Sequence, residues 1–449
     1  MANQPMGSPS RNPFARFLHA IAHGQIAPWY GAYALLGALA SGFVPILAPL
    51  VMDARGASAT LIGAVMATLN LGLLSCPVWG SLADGRRAYR LVFSIGFVLL
   101  GLAIGAFTLN GGPAVELGLG FIMGLGSGAS NTMANLFVVE FYPRSEWDSR
   151  IGVLLTFNAV GQSLALVLAG MLLPRVGLPL AAALALPAIV LGNLGLPITR
   201  TPFGGPSLSA VELKVDSFIR HSELWAGSLF HYVERPRLPT AQTLRVAFSG
   251  NFGRFLAGWL ILSFGATALF ALYPVLMREA FAIRPAASST IYAATVALSV
   301  ALYGPAARYS NRLGAATVYR VGIWCRVVAL AGMVALAYLA PPFRFIGIVV
   351  CFTIFQLAWP LLFVSGTDLA AGLSTVSEGE AMGLFGASGA LASAAGALAS
   401  GVVAQTLGYG ATVVLATVAV MASVAPVRQL ATPAKGATTA PAQGVGMRQ

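Results

Sequence analysis

Charged residues are scarce in this chain of 449 residues: Asp, Glu, Lys and Arg together account for only 9% of it. Soluble domains contain about 25% charged residues, so the composition excludes an ordinary soluble protein. Hydrophobic residues make up 57% of the chain, and long apolar runs continue through its 51 glycines and 26 prolines. Helices that cross a bilayer tolerate both residues. The composition therefore indicates a protein that spans a membrane many times.

Cysteine and histidine are also rare, which argues against metal and disulfide chemistry. Cys76, Cys325 and Cys351 fall far apart within apolar runs, without CxxC or Cys/His ligand spacing, and we assign them to packing. His19 and His23 are four residues apart, but two ligands without a carboxylate make a weak metal site. We predict a chain without a metal site or a cofactor.

Acidic residues are absent from the middle of every long apolar run. All fourteen Asp and Glu residues lie in loops or at the ends of the runs, so none is placed to carry a proton at mid-depth. No loop contains a cluster of His, Glu and Asp, a nucleophile beside a base, or a phosphate-binding glycine loop. A membrane enzyme is therefore poorly supported, and we predict no catalytic site.

Twelve apolar runs of about twenty residues are each long enough to cross a bilayer as a helix. They lie near 27–51, 58–80, 90–110, 115–140, 151–173, 177–197, 252–277, 286–306, 318–340, 345–369, 381–404 and 408–426. An even number of spans puts both termini on one side. Of the 26 Lys and Arg residues, twenty fall on that side and five on the other, which predicts cytoplasmic termini and an inner or plasma membrane location.

The net charge of +12 does not indicate nucleic acid, because the basic residues are distributed among many loops. Residues 1–26 are polar and contain no recognisable cleavable signal, so we expect the amino terminus to stay in the cytoplasm. Arg326 is the basic residue left within a span. It follows Arg320 by six residues, about 9 Å at helical rise, so we expect its side chain to reach back to the inner surface.

The longest connection, about fifty residues between spans six and seven, divides the chain into two halves. We predict a cytoplasmic tail (1–26), two six-helix bundles (27–197 and 252–426), a cytoplasmic central loop (198–251) and a disordered cytoplasmic tail (427–449). A capping box from Ser209 to Glu212, followed by apolar residues at helical spacing, predicts an amphipathic helix within the loop. This helix either lies along the inner leaflet or is a simple linker.

The two halves resemble each other, which indicates that six spans are duplicated. Ile62 and Ile291 lie near the starts of spans two and eight at an interval of 229, and Asp84 is matched by Asn311 at an interval of 227. Pro-Leu-Val-Met at the end of span one has its counterpart in Pro-Val-Leu-Met, 225 residues later. Three landmarks at a nearly constant offset are difficult to obtain by chance.

The loop after span two carries the most specific motif, Gly80-Ser-Leu-Ala-Asp84-Gly-Arg-Arg87. Together with the twelve spans and the long central loop, it resembles the major facilitator superfamily, whose loop signature is close to Gly-x-Leu-Ala-Asp-Arg-x-Gly-Arg-Arg. The loop after span two keeps the first part of this signature, up to Asp84, and is shorter than the signature beyond it. In the equivalent loop of the second half, Asn311-Arg-Leu-Gly314 resembles the Asp-Arg-x-Gly part, with Asn in place of Asp. The resemblance implies an all-α fold of two pseudo-symmetric six-helix bundles and transport by alternating access.

The resemblance also implies a latch at the inner ends of the helices, where arginines pair with acids on adjacent helix ends. Glu140 at the inner end of span four is the natural partner for the loop arginines, and Asp368 lies at the matching place in span ten. The predicted inner gate consists of Gly80, Asp84, Arg86, Arg87, Glu140, Asn311, Arg312 and Asp368. The alternative is that these residues are ordinary interfacial groups.

In this family spans one, four, seven and ten line a central cavity, with help from two, five, eight and eleven. Asn131 and Asn135 share a helix face, as do Asn158 and Gln162, and amides facing lipid would be costly. The predicted substrate-binding residues are Tyr30, Tyr33, Asn131, Asn135, Asn158, Gln162, Arg254, Tyr273, Gln356 and Trp359. For each of them, hydrogen bonding between helices is an equal alternative, and Arg254 also fits the positive-inside pattern.

The leading hypothesis is therefore a secondary active or facilitative transporter of a small organic solute, bound near the midplane between the halves. The missing central carboxylate favours a facilitator or a like-for-like antiporter over a proton symporter. Two alternatives stay open: a drug or metabolite efflux antiporter of the same superfamily, and a transport-inactive assembly factor or sensor with a cavity plugged by side chains. Expected partners are the solute, membrane lipid and a coupling proton or counter-substrate, without nucleic acid, and the chain is expected to be a monomer.

Overall fold

The structure is a computed structural model that describes residues 27–86, 88–142, 147–172, 174–194, 250–339, 342–374, 378–428 and 430. The described residues form helices and contain no β-strand. His19, His23 and the amphipathic helix predicted after Ser209 lie outside the described residues.

The helices follow the predicted spans in order, each span as one helix or as a broken pair. The amino-terminal half forms α1 (Trp29–Ala54), α2 (Ala59–Leu73), α3 (Cys76–Arg86), α4 (Tyr89–Ala106), α5 (Pro113–Phe141), α6 (Trp147–Met171) and α7 (Pro174–Leu194). The carboxy-terminal half forms α8 (Gly250–Phe270), α9 (Tyr273–Phe281), α10 (Pro285–Val300), α11 (Tyr303–Leu313), α12 (Ala315–Leu339), α13 (Arg344–Leu373), α14 (Glu378–Leu407), α15 (Tyr409–Ala422) and α16 (Val424–Val427).

Within the described ranges, ten helical stretches are long and apolar enough to cross a membrane, and α10 with α11 passes the same test as a pair bent by 52°. The remaining predicted span is α5, which has 29 residues and so extends about 43 Å at helical rise. Its many glycine, serine and asparagine residues keep it just outside the group of ten apolar stretches. Length rather than apolarity therefore qualifies α5 as a span.

Several spans that the sequence predicts as continuous helices are irregular. A π-helical segment, Gly37–Phe43, interrupts α1. The seventh span is broken between α8 and α9, where Pro274 lies in the first turn of the new helix, and the eighth is broken between α10 and α11, with Pro305 just beyond the break. Proline has no backbone N–H to bond to the preceding turn, so a helix tends to restart at it.

The two bundles meet along two equivalent helix pairs, α2 with α14 and α6 with α10. In each pair a glycine of one helix lies against its partner: a Cβ on Gly401 would lie 2.6 Å from the Ala59 carbonyl oxygen, and one on Gly170 would lie 3.0 Å from the Cα of Ala286. Ala286 follows Ala59 by 227 residues, and Gly401 follows Gly170 by 231. The two contacts are therefore related by the pseudo-two-fold exchange that the sequence offsets predict.

Polar contacts join the bundles at the end of the molecule where α1 and α9 finish. Arg278 Nη2 lies 2.8 Å from Asp53 Oδ2 of the other bundle, and Arg278 Nε lies 2.8 Å from Glu279 Oε1. Close by, the N–H of Ala59 donates to Gln405 Oε1 at 2.9 Å. We call the surface defined by Asp53, Arg278 and Glu279 the ion-pair end. The two bundles are held together there by an ion pair and by direct helix contact.

Arg55 links three helices of the amino-terminal bundle near the same end. Its guanidinium lies 3.3 Å from Glu116 Oε1 and donates to the carbonyl oxygens of Phe107 and Thr108, at 2.9 and 2.7 Å. Glu116 occupies the first turn of α5, where the helix dipole favours an anion. One side chain thus neutralises a buried acid and satisfies two carbonyl groups that follow the end of α4.

Candidate functional site

A cavity of about 420 Å³ lies between the two bundles. Its wall is formed by α6 of the amino-terminal bundle, by α8, α10, α11, α13 and α14 of the carboxy-terminal bundle, and by one residue of α12. Its polar side chains include Asn158, Gln162, Ser263, Thr267, Gln356 and Ser393. A ligand in this central cavity would contact both bundles at once.

The amides of Asn158 and Gln162 are fixed in the wall by close contact between α6 and α1. A Cβ on Gly161 would lie 1.8 Å from the Ala34 carbonyl oxygen, so the two backbones touch at this glycine. Asn158 Nδ2 and Gln162 Nε2 each donate to a backbone carbonyl oxygen of α1 at 3.3 Å. Both amides therefore belong to the α1–α6 contact and to the cavity wall.

Aromatic rings close the cavity toward the ion-pair end. We call this cluster the aromatic roof, and it consists of Phe270, Tyr273, Tyr292, Phe352 and Phe355. The rings of Phe270 and Tyr292 stack with centroids 5.4 Å apart, and those of Tyr273 and Phe352 lie 5.0 Å apart. Such ring pairs add stability beyond simple burial of area, so the roof is a well-packed barrier.

Two tryptophans give another part of the wall its flat apolar surface. The ring centroids of Trp259 and Trp359 lie 6.1 Å apart, and the Trp259 indole stacks on Phe385 at 4.3 Å. The indole N–H of Trp259 donates to the Phe385 carbonyl oxygen at 3.0 Å, which fixes the ring. A planar apolar group of a ligand would pack well against this surface.

For Arg326, the expectation that its side chain reaches the inner surface was wrong. Its side chain does not reach back to the inner surface; the residue is 1% exposed and lines the cavity from α12. Its guanidinium carbon lies 4.5 Å from the ring centroid of Phe355 and 5.4 Å from that of Trp359. The reason is angular: six residues correspond to about 600°, so Arg326 faces a different side of α12 from Arg320. Arg320 instead donates to the carbonyl oxygen of Arg428.

Four of the ten predicted substrate-binding residues line the cavity. They are Asn158, Gln162, Gln356 and Trp359. Sequence reasoning missed Ser263 and Thr267, although their spacing of four residues on span seven marks one polar helix face. Thr267 Oγ1 donates to Ser393 Oγ at 2.9 Å, which places both hydroxyls in the same wall.

The other six predicted residues lie outside the cavity wall. The Tyr33 hydroxyl donates to Asn131 Oδ1 at 2.7 Å, and Asn135 Nδ2 donates to the Asn131 carbonyl at 2.9 Å, so these three serve contacts within the bundle. Tyr30 packs between Trp29 and Phe157. The structure places Tyr273 in the aromatic roof and leaves Arg254 exposed at the start of α8.

The predicted inner gate lies at the end opposite the ion-pair end. The side chains of Asp84, Arg86 and Glu140 and the whole of Arg87 are outside the described residues. Gly80 is buried in α3, and Asn311 and Arg312 are exposed near the end of α11. Asp368 accepts a hydrogen bond from Ser310 at 2.5 Å, which joins α11 to α13.

The described wall of the cavity is uncharged apart from Arg326. Its wall contains no Asp, Glu or His. Throughout the described ranges, no group of three or more His, Cys, Asp or Glu side chains could hold a metal ion. The wall offers a ligand amides, hydroxyls, aromatic faces and one guanidinium.

Two pseudo-symmetric helical bundles around a central cavity, built from helices long and apolar enough to cross a membrane, are the architecture typical of a membrane transporter. The chain belongs to the Major Facilitator Superfamily, whose family model matches residues 29–377. No curated protein sequence matches the chain. The predicted family, transporter class and twelve-helix fold are thus confirmed.

Solved structures support the same fold. The nucleoside transporter NupG is similar at a TM-score of 0.67 and 12% identity, over 89% of this chain and 96% of that one. A mutant of NupG is similar at a TM-score of 0.68 and 14% identity, over 89% of this chain and 98% of that one. The human organic anion transporter MFSD10 (TETRAN) is similar at a TM-score of 0.57 and 16% identity, over 93% of this chain and 100% of that one. At these identities the similarity establishes the fold.

Proposed function

We propose that the chain moves a small organic solute by alternating access and that the solute binds in the central cavity. The observation that carries the proposal is the cavity itself, about 420 Å³ in volume and walled by both bundles. This volume lies within the range of ligand pockets, about 300–1,000 Å³. A transport-inactive assembly factor or sensor would be expected to fill this space with side chains, so the cavity favours a transporter.

The contacts between the bundles support a state that is closed at the ion-pair end. Asp53 and Arg278, the Gly401 contact and the aromatic roof all lie on that side of the cavity. With both termini in the cytoplasm, as the distribution of basic residues favours, this end faces outward and the cavity is reached from the cytoplasm. In the opposite state the bundles would separate at the ion-pair end and meet at the other end.

A facilitator or like-for-like antiporter fits this cavity better than a proton symporter, because the wall lacks an acid that could carry a proton. An efflux antiporter for drugs or metabolites would use the same cavity, and the direction of transport separates the two. Purified protein in liposomes can be screened for counterflow with nucleosides, aromatic carboxylates and their neutral amides, and sugars. Exchange of at least one solute supports the proposal, whereas no exchange by any member contradicts it and favours the assembly factor.

Filling the cavity should stop transport without unfolding the protein. Ser393→Trp places a large ring in the wall, so counterflow of the fastest panel solute should fall by at least about tenfold. The control is Leu391→Trp, two residues away on the same helix but 53% exposed on the outer surface, which should exchange normally. Equal counterflow in the two variants would show that the solute does not pass through this cavity.

We also propose that Asp84 belongs to the inner gate together with Glu140, and that Asp368 has the equivalent role in the other half. Asp84→Asn should change the exchange rate by about fivefold, the effect of losing one charge interaction of about 1 kcal/mol at a helix end, with normal membrane insertion. Asp148→Asn, which alters another acid on the same side, should leave exchange unchanged. Identical exchange in Asp84→Asn and the wild type would remove Asp84 from the gate.

A further inference from the structure

Arg326 is a buried cation with an N–H donor that has no acceptor within the described ranges. It is 1% exposed, and its Nε has no acceptor among the described residues. By contrast, Arg55, Arg278 and Arg320 each donate to a carboxylate or a carbonyl oxygen. A guanidinium has five N–H donors and is always charged, so a buried one normally has anionic or carbonyl partners.

Aromatic rings account for part of the stabilisation of this cation. The faces of Phe355 and Trp359 lie beside its guanidinium carbon, at 4.5 and 5.4 Å from their centroids. A cation over a ring face keeps its N–H groups at its edge, where they stay available to an acceptor. The two rings therefore hold the guanidinium in place and leave its Nε–H group available to an acceptor.

Because Arg326 faces the cavity, an acceptor for its N–H group can come from a molecule bound there. The side chain reaches the cavity wall from α12, and the wall contains no Asp or Glu. Tyr319 lies seven residues earlier on the same face of α12, and its buried hydroxyl also lacks a partner among the described residues. The described wall therefore carries a single fixed positive charge beside flat apolar surfaces and neutral amides.

We propose that the transported solute is a small organic anion whose negatively charged group binds Arg326 and whose flat apolar body packs against Trp259 and Trp359. The inference rests on the proposed function, because it concerns the occupant of the same cavity. One positive charge in the wall matches one negative charge on the solute. Binding replaces the missing acceptor with oxygen atoms that take charge-assisted hydrogen bonds from the guanidinium.

The first test compares probes of the same shape and different charge. Naphthalene-2-carboxylate and naphthalene-2-carboxamide differ at one polar group, and naphthalene-2-sulfonate tests a second anionic group. Their affinities for the purified protein are measured by calorimetry. We expect the two anions to bind wild-type protein about 10- to 100-fold more tightly than the amide, the range for hydrogen bonds to a charged partner.

The second test removes the charge from the wall. Arg326→Gln should reduce the carboxylate-to-amide affinity ratio to about one while the amide still binds, and Arg326→Lys should keep part of the preference because it keeps the charge. The matched control is Arg320→Gln, on the same helix but at its end, which should keep the full preference. Binding of the amide to Arg326→Gln also demonstrates that the cavity is intact.

Each outcome decides between the proposals. Equal binding of carboxylate and amide to the wild type, or an anion preference that survives Arg326→Gln, overturns the inference. If neutral panel members exchange in liposomes while their anionic counterparts do not, the anion inference fails and the proposed function stands. If no member, charged or neutral, binds or exchanges, the proposed function fails as well.

Discussion

Replacing Gly401 with leucine is expected to hold the two bundles apart at the ion-pair end and to reduce solute exchange by at least about fivefold. Even a Cβ at this position would lie 2.6 Å from the Ala59 carbonyl oxygen and 3.0 Å from the Cα of Gly63. These atoms belong to backbone, which cannot rotate away as a side chain can. Overpacking costs about 1–3 kcal/mol, which corresponds to a shift of about 5- to 150-fold between two states.

The change should affect the contact between bundles and leave each bundle folded, because the nearest atoms around Gly401 all belong to α2 of the other bundle. Spin labels at Ala54→Cys and Arg284→Cys, two exposed positions near the ion-pair end of different bundles, report their separation. The native cysteines are replaced in this background. We expect a longer distance between the labels in Gly401→Leu than in the parent.

The control for this prediction is Gly383→Leu, on the same helix. A Cβ there has no neighbour within 4 Å, so both the distance and the exchange rate should stay at their parental values. The same short distance in Gly401→Leu, together with unchanged exchange, would mean that the close glycine contact is not needed to close this end.

The spans and their two-fold relation could be predicted because both depend on properties that are local in sequence. The length of an apolar run shows directly whether it can cross a bilayer. The offset of 227 between Asp84 and Asn311 can likewise be read without any knowledge of packing. The same offset recurs between Ala59 and Ala286 in the contacts between bundles. Thus the topology followed from pattern alone.

The side of a helix on which a residue lies was harder to predict. In a membrane the surroundings of a bundle are as apolar as its interior, so hydrophobic periodicity carries little information about helix rotation. Tyr33 and Asn131 were both expected in the cavity, but they bond to each other within the bundle. Arg326 was expected at the inner surface. The sequence gives its distance along the helix from Arg320, but it does not give the side of the helix on which its side chain lies.

The second large effect is expected on stability: Arg55→Met should destabilise the protein by about 2–4 kcal/mol. The arginine is 21% exposed and Glu116 only 5%, so its loss leaves a nearly buried carboxylate without its ion-pair partner. The carbonyl oxygens of Phe107 and Thr108 lose a charged donor at the same time. If the amino-terminal bundle (27–197) unfolds as one unit, such a loss corresponds to a decrease in its melting temperature of about 4–16 °C.

Two comparisons separate the loss of Arg55 from a general effect of removing an arginine. Arg278→Met removes an ion pair whose arginine is 40% exposed, so its melting temperature should change little, since exposed pairs contribute at most about 1 kcal/mol. Adding Glu116→Gln to Arg55→Met should recover part of the stability, because a neutral amide costs less to bury without a partner than a carboxylate does. If the double variant melts no higher than Arg55→Met, the buried charge of Glu116 is not the cause, and the cost lies in the two uncapped carbonyl groups.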